Sequence, residues 1–147
     1  MNRLFTFINE PASPFIERFA LFIMRVGIGV LTIGHGIPKL MGGVSMWEEL
    51  GTWVYPLGIH FLPTMWGFLG ACTEFFGGIA LVLGFGTRVA SFCLTMMMFV
   101  ATFWHINHGD VYNVYSFPLS LIFVYFAFFL MGAEGYSFDS YVSRKKG

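Results

Sequence analysis

Apolar residues gather into four runs, 15–40, 61–83, 89–106 and 115–131, each long enough to cross a hydrocarbon core and each bounded by polar or turn-forming residues. The first run is rich in glycine yet contains Arg25, His35 and Lys39. At about 100° per residue, Arg25, Gly29, Thr32, Gly36 and Lys39 fall within roughly 40° of one line, with His35 at its edge. Burying a cation at membrane depth is costly unless it is paired or hydrated, so this face should look into protein. In the second run Gly67, Gly70, Ala71, Gly77 and Gly78 surround a single charge, Glu74, at the small-residue spacing that lets another helix approach, so Glu74 is expected to face the bundle. Gly84-Phe85-Gly86-Thr87-Arg88 is a tight turn that makes runs two and three antiparallel neighbours. Run three places Ser91, Leu94, Met98, Ala101, His105 and His108 on one face. Run four has neither charge nor glycine and reads as the most lipid-exposed helix, with Pro118 near its first turn.

Between runs one and two, residues 44–60 put Met46, Trp47, Leu50, Trp53 and Val54 on one helical side and turn Glu48 and Glu49 away, the pattern of a short amphipathic helix lying in the interface. The predicted fold is therefore all-α: an integral membrane four-helix bundle with an interfacial helix between spans 1 and 2, one domain over residues 1–147, and a polar tail over 132–147.

Composition agrees with that pattern. Only 11% of the 147 residues are charged, against about 25% in soluble domains. Eight basic and eight acidic side chains balance, which leaves no basic field for nucleic acid. The N-terminal segment lacks the apolar core and small-residue cleavage site of a signal peptide, so the first span is expected to stay in the mature protein. Cys72 and Cys93 sit at depths of about 16 and 6 Å by helical rise, too far apart for a disulfide. Four spans place both termini on one side together with Arg3, Arg18, Arg88, Arg144, Lys145 and Lys146, against Lys39 alone on the other. The positive-inside rule then predicts a multi-pass protein of the cytoplasmic membrane, N-in and C-in.

Depth arithmetic sorts the intramembrane polar groups into two layers. With Phe19 and Leu83 taken as inner ends, Arg25 lies about 9 Å and Glu74 about 14 Å deep, so an Arg25–Glu74 ion pair is expected, either docking two helices or exchanging a proton with a cofactor. His35 and His105 both lie about 24 Å deep, with Lys39, His60, Trp104 and His108 at or just beyond that level. Histidine can donate to a carbonyl and titrates near neutrality, which suits a quinone head group. Three other readings stand beside this one. The two histidines can be axial ligands of a haem, although His105 has no small neighbours to admit a macrocycle and no second pair is evident. His105-x-x-His108 is a bare metal spacing that only Asp110 could complete at the same depth, and no metal site is assigned. The histidines can also simply bond loop carbonyls or water at the interface.

The order of Arg25-Val26-Gly27-Ile28-Gly29, Gly34-His35-Gly36-Ile37-Pro38-Lys39-Leu40 and the stretch from Glu74 through Gly77-Gly78 to Gly84-Phe85-Gly86-Thr87-Arg88, closed by Gly135-Tyr136-Ser137-Phe138-Asp139, resembles the DoxX family of small bacterial membrane proteins. That group also includes the DoxD subunit of thiosulfate:quinone oxidoreductase. The resemblance implies a four-helix membrane bundle associated with redox chemistry, acting with other membrane or soluble redox subunits or as a homo-oligomer. Where relatives carry a glutamate at the start of the fourth span, this chain has Tyr112-Asn113-Val114-Tyr115. The expected function is a quinone-interacting subunit of a membrane oxidoreductase. In it His35, His105 and His108 bind the head group, Lys39 polarises a carbonyl or attracts an anionic substrate, and Glu74 with Arg25 relays a proton or holds the bundle. No electron carrier is visible in the chain, so a partner or the quinone supplies it. The alternative is a non-catalytic membrane scaffold or a small-solute transporter.

Overall fold

The structure, a computed structural model, describes residues 12–133 and 135–145. Arg3, Glu134 and Lys146 lie outside them, and with them part of the charge count behind the predicted orientation. The elements are α1 (Pro14–Met41), α2 (Gly43–Gly51), a 3-10 helix (Thr52–Leu57), α3 (Pro63–Leu83), α4 (Thr87–His108), α5 (Tyr112–Met131) and α6 (Phe138–Lys145). The described residues contain no strand. Helices α1, α3, α4 and α5 are long and apolar enough to cross a membrane, at the predicted places. Starts and stops follow local chemistry. Ser13 accepts from the Ile16 N–H ahead of Pro14, Pro63 opens α3, and Gly84, Gly109 and Gly132 stand in positive-φ conformations just past three helix ends.

The spanning helices form a bent row. α1 packs on α3, α3 on α4, and α4 on α5, while α1 and α5 do not pack closely on one another. The buried residues of α1 are Arg25, Gly29, Thr32 and Gly36, the face the sequence pattern picked out. A Cβ on Gly29 would stand 2.9 Å from the Gly78 carbonyl oxygen, and one on Gly36 2.6 Å from the Phe75 nitrogen, so α1 and α3 meet backbone to backbone. On the other side Leu81, Leu94, Met98, Tyr125 and Phe128 make the apolar core. α5 buries only Pro118, Tyr125 and Phe128, in keeping with its expected lipid exposure.

Two elements differ from expectation. The segment after α1 is broken in two, α2 and the 3-10 helix, and α2 does more than rest an apolar face on the bundle. A Cβ on Gly51 would strike the Pro63 carbonyl, and one on Gly67 the Trp47 carbonyl, so the helix is seated on the first turns of α3. α5 starts three residues before the predicted 115, which puts Pro118 inside it rather than at its first turn. Cys72 and Cys93 are free and line one shallow groove between α3 and α4.

The polar tail is not loose. Its Asp139 accepts from the N–H groups of Gly86 (2.9 Å) and Thr87 (3.1 Å), and the Asp139 N–H donates to the Gly84 oxygen at 3.0 Å. A carboxylate from more than fifty residues away thus caps the N-terminus of α4. Asp139→Ala is expected to lower stability by about 1–2 kcal/mol, and Asp139→Asn by less, in denaturant titrations of the detergent-solubilised protein.

Candidate functional site

Arg25 and Glu74 do not pair. Gly36 crosses Phe75 and Gly29 crosses Gly78 and Val82, which sets Leu83 roughly level with Gly27 and not with Phe19. The expected register was therefore off by about eight residues, roughly 12 Å, because α1 overhangs the other helices at its N-terminal end. Arg25 consequently reaches the end of α3. It is 2% exposed, and its Nη1 donates to the carbonyls of Leu81 and, at 3.4 Å, Val82, while Nη2 donates to the Tyr136 oxygen at 2.7 Å. The last carbonyls of a helix have no intrahelical donors and carry its negative dipole end, so one guanidinium can tie α1, α3 and the tail together. Arg88 does the same for α5 through the Leu130 oxygen. Arg25 belongs to the architecture of this end and lines no described cavity near the histidines.

Glu74 is instead held by Lys39, one turn beyond Gly36 on α1. Lys39 Nζ donates to Glu74 Oε1 at 2.7 Å, with the carboxylate side chain 3% exposed and the lysine 22%. The second oxygen, Oε2, is buried with no hydrogen-bond partner among the described residues. Trp47 Nε1 donates to the Lys39 carbonyl at 3.0 Å, and the Lys39 ammonium lies 5.7 Å from the Trp53 ring, so α2 and the 3-10 helix fix the end of α1 that presents the lysine.

This pair forms part of the wall of a cavity of about 360 Å³ in the gap between α1 and α5. Its polar members are Thr32, His35, Lys39, Glu74, His105 and Tyr125, from all four spanning helices. Its apolar members include Ile28 and Met98 inside and Leu31, Val114 and Phe117 at the outer edge, the last three 63%, 43% and 53% exposed. His35, itself exposed, meets Phe117 across the gap at a ring separation of 5.5 Å. The cavity thus has a polar floor and a greasy rim that opens sideways, on the flank a bilayer would cover.

The predicted outer layer is brought together in part. His35, Lys39 and His105 share the cavity, but not at one depth: the same register shift sets His35 level with the middle of α3, whereas Gly70 beside Met97 sets His105 toward the start of α3, and the cavity runs far enough along the gap to reach both. His105 turns Nδ1 to Asp110 Oδ2 at 2.7 Å and sets its ring against Trp53. His108 stays outside, exposed and stacked on Trp104 at 4.2 Å, because it is the last residue of α4 and its side chain clears the bundle. His60 also lies away from the cavity, against Tyr55.

Sequence reasoning missed Tyr125, Thr32 as a polar ligand and Trp53, and singled out Asp110 beside His105 only as a completing metal ligand. Thr32 donates to the Ile28 oxygen at 2.7 Å and shares a 2.6 Å contact with the Tyr125 hydroxyl. Thr32 was visible on the polar face of α1, and Tyr125 lies one helical turn from Leu121 and two from Pro118 on the inward face of α5. Among so many aromatic residues, nothing local marks it out.

The DoxX family model matches residues 20–107, which is 88 of the 147 residues and takes in α1 to α4. The α5 wall of the cavity and the 135–139 motif lie beyond the matched region. No curated protein and no solved structure matches the chain. With a family match over more than half its length and four helices able to span a bilayer, the chain is a multi-pass membrane protein and belongs to the DoxX family.

Proposed function

We propose that the protein is a quinone-interacting subunit of a membrane-bound redox assembly, with the α1–α5 cavity as its head-group site. The observation that carries this is the sideways opening: exposed Leu31, Val114 and Phe117 at the rim, with Glu74, Lys39, His105 and Tyr125 behind them. A ligand that dissolves in lipid and carries its polarity at one end fits such a cavity, and a water-borne solute does not need an apolar doorway. The lining groups suit a quinone ring, with apolar contacts for its faces and several polar atoms for its two oxygens. When bound, the quinone supplies two-electron chemistry that the side chains lack. His35 guards the rim, and His105 and Lys39 orient the head group from opposite walls.

Arg18, Arg25 and Arg88 stand at the end of the bundle that holds both described chain ends, while Lys39 is drawn inside it, paired with Glu74 halfway along α3. That asymmetry supports an N-in, C-in orientation in the bacterial cytoplasmic membrane, with the cavity toward the outer leaflet and electrons exchanged with a partner redox subunit.

Titration of the purified protein with decylubiquinone tests the site. Binding is expected to weaken by about tenfold in His105→Ala and in His35→Ala, the loss of roughly one good hydrogen bond or packing contact. Affinity unchanged by both substitutions removes the site and favours a scaffold role.

A further inference from the structure

We infer that the cavity is built for the reduced, hydroxyl-bearing form, so that a quinol binds more tightly than the corresponding quinone. The inference rests on the quinone reading above and adds the redox state of the ligand. It follows from which hydrogens are already used. The Thr32 hydroxyl has one hydrogen, and it goes to the Ile28 carbonyl at 2.7 Å. In the 2.6 Å contact with Tyr125 the threonine oxygen must then accept, so the tyrosine hydrogen is spent on Thr32 and the phenolic oxygen keeps only lone pairs.

His105 is constrained in the same sense. A carboxylate only accepts, so the 2.7 Å bond to Asp110 fixes the hydrogen on Nδ1. Asp110 is not a wall of the cavity, whereas the His105 ring is, which leaves Nε2 as the nitrogen available there and an acceptor in the neutral ring. Glu74 adds the third. Its side chain lines the cavity, Lys39 occupies Oε1, and Oε2 is buried with no partner among the described residues.

Three groups from three helices, Glu74, His105 and Tyr125, thus offer acceptors and no free hydrogen. Lys39 also lines the cavity and keeps ammonium hydrogens that Glu74 does not use, so either form finds a donor there; a quinone, with acceptors only, leaves the three acceptors unmet, whereas a quinol brings two O–H donors and still has oxygen lone pairs for Lys39. A buried acceptor left unmet is costly, so the difference between the two forms should be large.

Anaerobic calorimetric titrations in detergent compare decylubiquinol with decylubiquinone. The quinol is expected to bind about tenfold more tightly or better. Thr32→Val frees the Tyr125 hydrogen and Asp110→Asn releases the His105 tautomer, and each is expected to shrink that ratio severalfold. Equal binding of the two forms, or tighter binding of the quinone, overturns the inference and leaves the quinone site standing. Absence of binding by either form overturns both. The wild-type ratio decides the matter even if a variant fails to fold.

Discussion

Lys39→Met is expected to lower stability by about 3–5 kcal/mol, because it strands the Glu74 carboxylate in a position only 3% exposed with neither oxygen partnered. Glu74→Gln should cost less, about 1–3 kcal/mol, since Lys39 is 22% exposed and its long stem can carry the ammonium toward water. The double replacement Lys39→Met with Glu74→Met removes both charges and their desolvation, and is expected to recover most of the loss. Unfolding in mixed micelles with rising sodium dodecyl sulfate measures all three. Ligand affinity follows a different pattern, falling in every one of these variants, including the stable double one. That divergence separates a site from a mere helix clamp. A Lys39→Met protein as stable as the wild type contradicts the buried pair.

Arg25→Met should destabilise the opposite end by about 2–4 kcal/mol, the scale of a few charge-assisted hydrogen bonds offset by relief of burying the cation. Gly84 and Phe85 N–H groups still cap Leu81 and Ala80, so α3 survives, but the Val82 and Tyr136 carbonyls lose their donor. The tail is then tied only by Asp139 and its neighbours, so limited proteolysis should cut within residues 135–145 faster in the variant. Arg25→Lys should rescue little, because a single ammonium cannot span carbonyls on α3 and on the tail as the fork does. Quinone affinity should stay near the wild-type value, since Arg25 lies outside the cavity.

Periodicity carried the fold a long way, and the reasons are physical. Four apolar runs gave four helices, and the stripe Arg25, Gly29, Thr32, Gly36 became the buried face of α1 because small and polar residues at that spacing have no place in lipid. His35 and His105 line one cavity although their depths differ, because that cavity runs along the gap between α1 and α5. Absolute depth failed for Arg25 and Glu74. A chain does not state how far one helix overhangs another, and here the glycine crossings at Gly29 and Gly36 set the register, moving Glu74 from Arg25 to Lys39. The 135–139 motif was legible as a motif and not as a clasp, since its partners lie on α1 and in the turn before α4. Tyr125 was hidden by composition: in a helix rich in aromatic residues, only the neighbours reveal which hydroxyl is buried.

The central claim is that a lipid-borne quinone enters between α1 and α5. Photolabelling of the protein in liposomes with an azido-quinone, followed by peptide mapping, tests it most directly. Adducts are expected on residues 28–39 and 114–125, and an excess of unlabelled quinol should compete them away. Adducts confined to the outer α3–α4 groove around Cys72 and Cys93, or labelling that no quinone or quinol displaces, contradict the account.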